Sequence, residues 1–128
     1  MRRPEQAIQR EVFRHFRQRA APGVVVFAVP NGGFRRKTEA AIMKGLGTVA
    51  GAPDIVACRD GKFFALEVKA PGGRVTKAQQ KMLLNLRAAG ASACHAHGLD
   101  QCLHVLEGWG LLRGVANTRG LRNEPLEH

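Results

Sequence analysis

"GAPDIVACRDGKFFALEVKA", residues 51–70, decides the fold. Asp60-Gly61 sits between two apolar runs, the mark of a two-residue type I′ hairpin turn, whose central residues both need positive φ. The turn sets a register. Arg59 pairs with Lys62, Cys58 with Phe63, Ala57 with Phe64, Val56 with Ala65 and Ile55 with Leu66, which leaves Asp54 opposite Glu67. Side chains alternate along a strand, so Glu67 and Lys69 share a face and Asp54 joins them across the pair. Phe64, Leu66 and Val68 point the other way. A slip of one residue would reverse every one of these assignments.

Two carboxylates opposed at about 5 Å between β-carbons repel each other. A divalent cation removes that cost. Mg²⁺ prefers oxygen ligands and keeps several waters, so a carboxylate pair suits it. Lys69 can hold a phosphate or orient and polarise a water. The trio points to phosphodiester hydrolysis, with the metal as Lewis acid and source of the nucleophile. The plainer alternative is an exposed Asp54 and Glu67 screened by Lys69.

The rest of the chain supplies the setting. Its 128 residues, 45% apolar, fit one domain with one core, and with no Tyr and a single Trp that core is mostly aliphatic. Twenty basic against ten acidic residues give a net charge of +10. Such an excess favours a polyanion: nucleic acid first, an anionic membrane surface second, with a merely solvated basic surface as the alternative. Only the first helix has the amphipathic character a membrane surface needs. The three cysteines contain no C-x-x-C pair, so neither a disulfide framework nor a zinc ribbon is indicated, and a reducing cytoplasm fits. The N-terminus lacks a signal-peptide run, and "VVVFAV" (24–29) is too short to span a bilayer. The closing "LEH" reads as a cloning remnant.

Along the chain, Pro4 and the spacing of Ile8, Val12 and Phe16 predict a helix over 4–19. The β-branched run 24–29 predicts a buried strand, "PNGG" (30–33) a turn, and 35–47 a short helix. Thr76 starts a helix of about 13 residues with Met82, Leu83 and Leu86 as its apolar stripe. Residues 91–97 predict a strand, and Asp100 caps a last helix running through Leu106. After Gly108 periodicity is lost. The order α-β-α-β-β-α-β-α predicts an α/β/α sandwich around a mixed sheet. His95 and His97 alternate on their strand and could share a metal, but without a third ligand they read as ordinary surface or edge histidines.

Pro53-Asp54 with Glu67-Val68-Lys69 resembles the PD-(D/E)XK nuclease superfamily, whose core is restriction-endonuclease-like. Further motifs, Glu5-x-x-Ile8-Gln9, Asn31-Gly32-Gly33, Gly51-Ala52-Pro53-Asp54, Gln79 and Leu86-x-x-x-Gly90, resemble its virus-type replication-repair nuclease (VRR-NUC) branch over residues 4–97. The resemblance implies that Asp54, Glu67 and the Val68 carbonyl bind Mg²⁺ or Mn²⁺, that Glu5 approaches the metal, and that Lys69 assists the attacking water. Glu11 is a rival to Glu5, and a favourable first-turn charge is the plainer account of Glu5. Gln79 carries two readings at once, a site residue and half of a Thr76–Gln79 capping box. Met82 stands where the family often has an aromatic.

Asn31, Gly32 and Gly33 are a simple turn or a substrate-side loop. Arg35, Arg36 and Lys37, with Arg74 beyond the hairpin, are candidate DNA phosphate contacts or solvated charges. The implied protein is a phage-encoded or bacterial, cytoplasmic DNA endonuclease, a homodimer acting on branched DNA such as four-way (Holliday) junctions. A flap, nick or end nuclease and a non-catalytic DNA-binding module are the alternatives. Residues 1–108 form the nuclease-like domain, and 109–128 a disordered tail or an arm whose Trp109, Leu111 and Leu112 contact a second subunit.

Overall fold

The computed structural model describes residues 3–30 and 37–114. The elements are α1 (Arg3–Arg19), β1 (Val25–Ala28), α2 (Lys37–Gly45), β2 (Ile55–Arg59), β3 (Lys62–Lys69), α3 (Lys77–Ala88), β4 (Ser92–His97) and α4 (Gly98–Gly108). The strands form one sheet in the order β1-β2-β3-β4. The pairings β1–β2 and β2–β3 are antiparallel, and β3–β4 is parallel. Parallel neighbours need a crossover, and α3 supplies it.

Asp60 and Gly61 have φ of 51° and 77°, as a type I′ turn requires. The hairpin takes the expected register, from Arg59↔Lys62 to Ile55↔Leu66. That register divides the sheet into two faces. Ile55, Ala57, Phe64, Leu66, Val68 and Ala96 pack under α1 and α4, against Val12, Phe16, Cys102 and Leu106. On the opposite face Val56, Ala65 and Ala93 pack against Leu83 of α3. The expected α/β/α sandwich with a mixed sheet is what the chain forms.

Three expectations change. The run 24–29 is not a buried strand: β1 is a sheet edge, and the side chains of Val25 and Phe27 are more than half exposed. Continuous apolarity cannot tell a covered strand from an uncovered one, and the helices pack on β3 and β4. Asp100 does not cap α4. The helix starts at Gly98, with His97 at the N-cap and Asp100 inside the first turn, where its charge suits the helix dipole. The His97 N–H donates to Gln101 Oε1 at 2.9 Å, which anchors the start instead.

The third change concerns the segment after α4. Leu111 is fully buried and Leu112 is nearly so, both in this chain's own core. Ala21 N–H donates to the Leu111 carbonyl and Arg113 N–H to the Arg19 carbonyl, each at 2.8 Å. Trp109 lies against Phe64, ring centroids 5.3 Å apart. Leu111 and Leu112 are therefore core residues rather than contacts for a second subunit. Residues 115–128 lie outside the described residues.

Candidate active site

The site forms where β3 ends. Glu67 and Lys69 alternate with core-facing Leu66 and Val68, so the pleat that buries the core turns the two charged groups to the other face. Asp54 stands immediately before β2. Its main-chain carbonyl accepts from Val29 N–H at 2.8 Å, and its side-chain Oδ2 accepts from Val68 N–H at 2.8 Å. The acid is thereby fixed across from Glu67. Asp54 and Glu67 are each 3% exposed, and Glu5 and Lys69 each 6%.

Glu67 is held from two sides. Its Oε2 accepts from Gln79 Nε2 at 2.7 Å and lies 4.0 Å from Lys69 Nζ. Its Oε1 is buried and, among the described residues, meets no hydrogen-bond donor. Burial, then the charge of Asp54 and a hydrogen bond with it, push the Glu67 carboxyl up to about 9, with Glu5 adding to the shift and Lys69 opposing it. Two carboxyl groups this close share a proton rather than both ionising.

Gln79 does both jobs open to it. Its backbone N–H donates to Thr76 Oγ1 at 3.1 Å and its Oε1 accepts from Thr76 N–H at 2.9 Å, a complete capping box. Its amide nitrogen is then free to hold Glu67. The helix start reaches the strand pair because Gly51 lets it. Gly51 has φ of 81°, and a β-carbon there would stand 2.6 Å from both C and O of Ala78. Gly51→Ala combines left-handed strain with a backbone clash. We expect a loss of about 2–4 kcal/mol, read as a fall of roughly 5–15 °C in Tm. An unchanged Tm would show that α3 is free to shift.

Of the expected site residues, Asp54, Glu67, Lys69 and Gln79 come together, around the backbone of Val68. Glu5 is buried nearby, its Oε2 accepting from Ala70 N–H at 3.5 Å. Glu11 is elsewhere, paired with Arg14 at 2.7 Å. Among the described residues no three His, Cys, Asp or Glu side chains converge as a ready metal cage. Among the described residues the carboxylate pair gains no third carboxylate, imidazole or thiol to complete such a cage. Arg74 is exposed in the loop between β3 and α3. Lys37 opens α2, and Asn31, Gly32, Gly33, Arg35 and Arg36 lie outside the described residues. Sequence reasoning missed His95 and His97 as members of this face, although their period-two spacing was a signal. The parallel register sets His95 beside Glu67 and His97 beside Lys69.

Two solved structures share the fold. One, described as a "VRR_NUC domain protein", superposes with a TM-score of 0.70 at 24% identity, covering 85% of this chain and 89% of that one. Another, described as a "VRR_NUC domain", superposes with a TM-score of 0.57 at 18% identity, covering 83% and 97%. No curated protein matches the chain. The VRR-NUC domain family model matches residues 3–100, a span that holds Asp54, Glu67, Lys69 and Gln79, and the chain belongs to this family of nucleases.

Proposed function

We propose that the protein is a divalent-metal-dependent DNA endonuclease that hydrolyses phosphodiester bonds in branched DNA, four-way junctions foremost. The buried pair Asp54–Glu67, with an unpartnered Glu67 oxygen, carries the reading. Burying two acids side by side costs stability wherever both would ionise, a cost that a bound cation removes. The donor set is oxygen-only and short of side-chain ligands, which suits a small hard cation that retains waters. Asp54, Glu67 and the Val68 carbonyl would hold Mg²⁺ or Mn²⁺, with Glu5 behind them. Such an ion supplies a Lewis acid for the phosphate and acidifies water at neutral pH.

The chain's own groups do the rest. Lys69 Nζ, held beside Glu67, orients the attacking water and faces the phosphate charge. Gln79 fixes the Glu67 rotamer, and Val68 N–H fixes Asp54. Glu5 ties the turn after Lys69 through Ala70. The +10 surface concentrates DNA near the site. Incubation with four-way, flap, nicked and linear duplex DNA, in Mg²⁺ or in chelator, tests the reading. Preferred cutting of the four-way junction in Mg²⁺ alone is the expected result, and cutting that survives chelation overturns it.

Two symmetric incisions in a junction require two sites, which a two-fold homodimer provides. The surface that suits a second copy is the uncovered end of the α3 side of the sheet. Val25, Cys58 and Phe63 are aligned across three strands there, with Phe27 two residues along β1, and all four are exposed. Exposed apolar side chains in register mark an interaction surface. Phe27→Asp should convert the dimer to a monomer in sedimentation equilibrium. A mass unaffected by the substitution would remove this face from the dimer.

A further inference from the structure

Two imidazoles share the site's face, and the proposed chemistry uses neither. β4 pairs with β3 so that His95 is the neighbour of Glu67 and His97 the neighbour of Lys69. Adjacent strands lie about 4.8 Å apart and paired residues project to the same side. Cys94 and Ala96, the alternate residues, face the core. The row that begins with Asp54 and Glu67 therefore continues outward to His95, at the open edge of the sheet.

The two rings are held differently. Their centroids are 5.1 Å apart with the planes at 87°, an edge-to-face contact. His97 is half-buried, and its Nδ1 lies 3.4 Å from the Ala70 carbonyl oxygen. A carbonyl only accepts, so His97 carries its proton on Nδ1. Ala70 is also the residue whose N–H reaches Glu5, so His97 is braced against the turn that closes the site. His95 is exposed. Its ring meets the ring of His97 and is otherwise open toward solvent. In either tautomer the imidazole keeps one N–H to donate.

We infer that His95, braced by His97, is a substrate-positioning residue that donates a hydrogen bond to a phosphate oxygen of the nucleotide flanking the bond to be cut. Phosphate and sugar receive half to two-thirds of protein–DNA hydrogen bonds. The place fits: His95 is one strand beyond the carboxylate pair, in register beside Glu67 and on an accessible edge. The inference rests on the proposed nuclease reading.

The test is steady-state cleavage of a four-way junction near neutral pH by wild type, His95→Ala, His95→Gln and His97→Ala, with the Mg²⁺-induced rise in Tm measured on each. His95→Ala should raise KM about tenfold and leave kcat within about threefold, since a hydrogen bond to a charged group is lost in both ground and transition states. His95→Gln, which restores a donor, should recover most of the loss. His97→Ala should raise KM less, and the Mg²⁺ response should be the same in all four proteins. A KM unmoved by His95→Ala overturns the inference, as does a Gln variant no better than Ala. A loss of the Mg²⁺ response in His95→Ala also overturns it, because the residue would then merely support Glu67. A wild type that cuts no DNA defeats the nuclease reading and this inference together. Wild-type cutting that His95→Ala leaves unaltered defeats this inference alone.

Discussion

Lys69→Ala should abolish cleavage while Mg²⁺ still raises the melting temperature. Lys69 is nearly buried and its ammonium stands 4.0 Å from Glu67, at the end of the strand that carries both. Removing a group that orients and polarises the attacking water costs about 10²–10⁴ in kcat. The carboxyl groups of Asp54 and Glu67 stay in place, so the proposed metal site should survive the change. Lys69→Met keeps most of the stem's packing and should be as inactive as the alanine variant, which separates lost charge from lost volume. Either variant with near-wild-type kcat would take Lys69 out of the reaction. A variant that also fails to respond to Mg²⁺ would make the lysine a structural support for the carboxylates.

Glu67→Gln should produce a protein that is inactive and, without metal, more stable than wild type. Glu67 holds its proton up to about 9 in the folded chain, against an ordinary value of 4.5. Its contribution to stability is therefore full below pH 4.5 and is withdrawn as pH rises toward 9. A glutamine has no charge to bury. It can still accept from Gln79 and can donate to Asp54, which keeps the hydrogen bond of the protonated carboxyl at every pH. At pH 7 the gain should be about 1–3 kcal/mol, read as a rise of several degrees in Tm that widens at pH 8–9 and vanishes near pH 4. Wild type should recover the difference when Mg²⁺ is added, and the variant should not respond. Equal melting of the two metal-free proteins at pH 8 would show that the buried pair is not strained.

Much of this site is legible because one turn dictates it. Asp60-Gly61 sets the hairpin register, and the register alone opposes Asp54 and Glu67 and puts Lys69 beside them. The Thr76–Gln79 box is equally local: capping residues act within four positions, so their spacing is visible in the chain. What escaped depends on distance. The site face gains His95 and His97 through a parallel pairing made across the α3 crossover, and nothing local sets that register. Gly51 is visible in the Gly51–Asp54 motif, but the reason for a glycine there appears only with Ala78 against it. Val25 and Phe27 read as core because apolarity does not reveal that β1 is uncovered. Leu111 and Leu112 read as a tail because two residues cannot show a period.

That tail has a consequence for how the protein comes into being. The stretch Leu111–Arg113 is clasped to Arg19–Ala21, so the first helix completes its packing only against residues made some ninety positions later. Contacts of such span are slow to form, and until they do the apolar stripe of α1 stays open. During synthesis from the N-terminus, the core is held unfinished until residues 111–113 have left the ribosome. Until then the first helix carries an uncovered apolar stripe, and the unfinished chain is at its most open to aggregation.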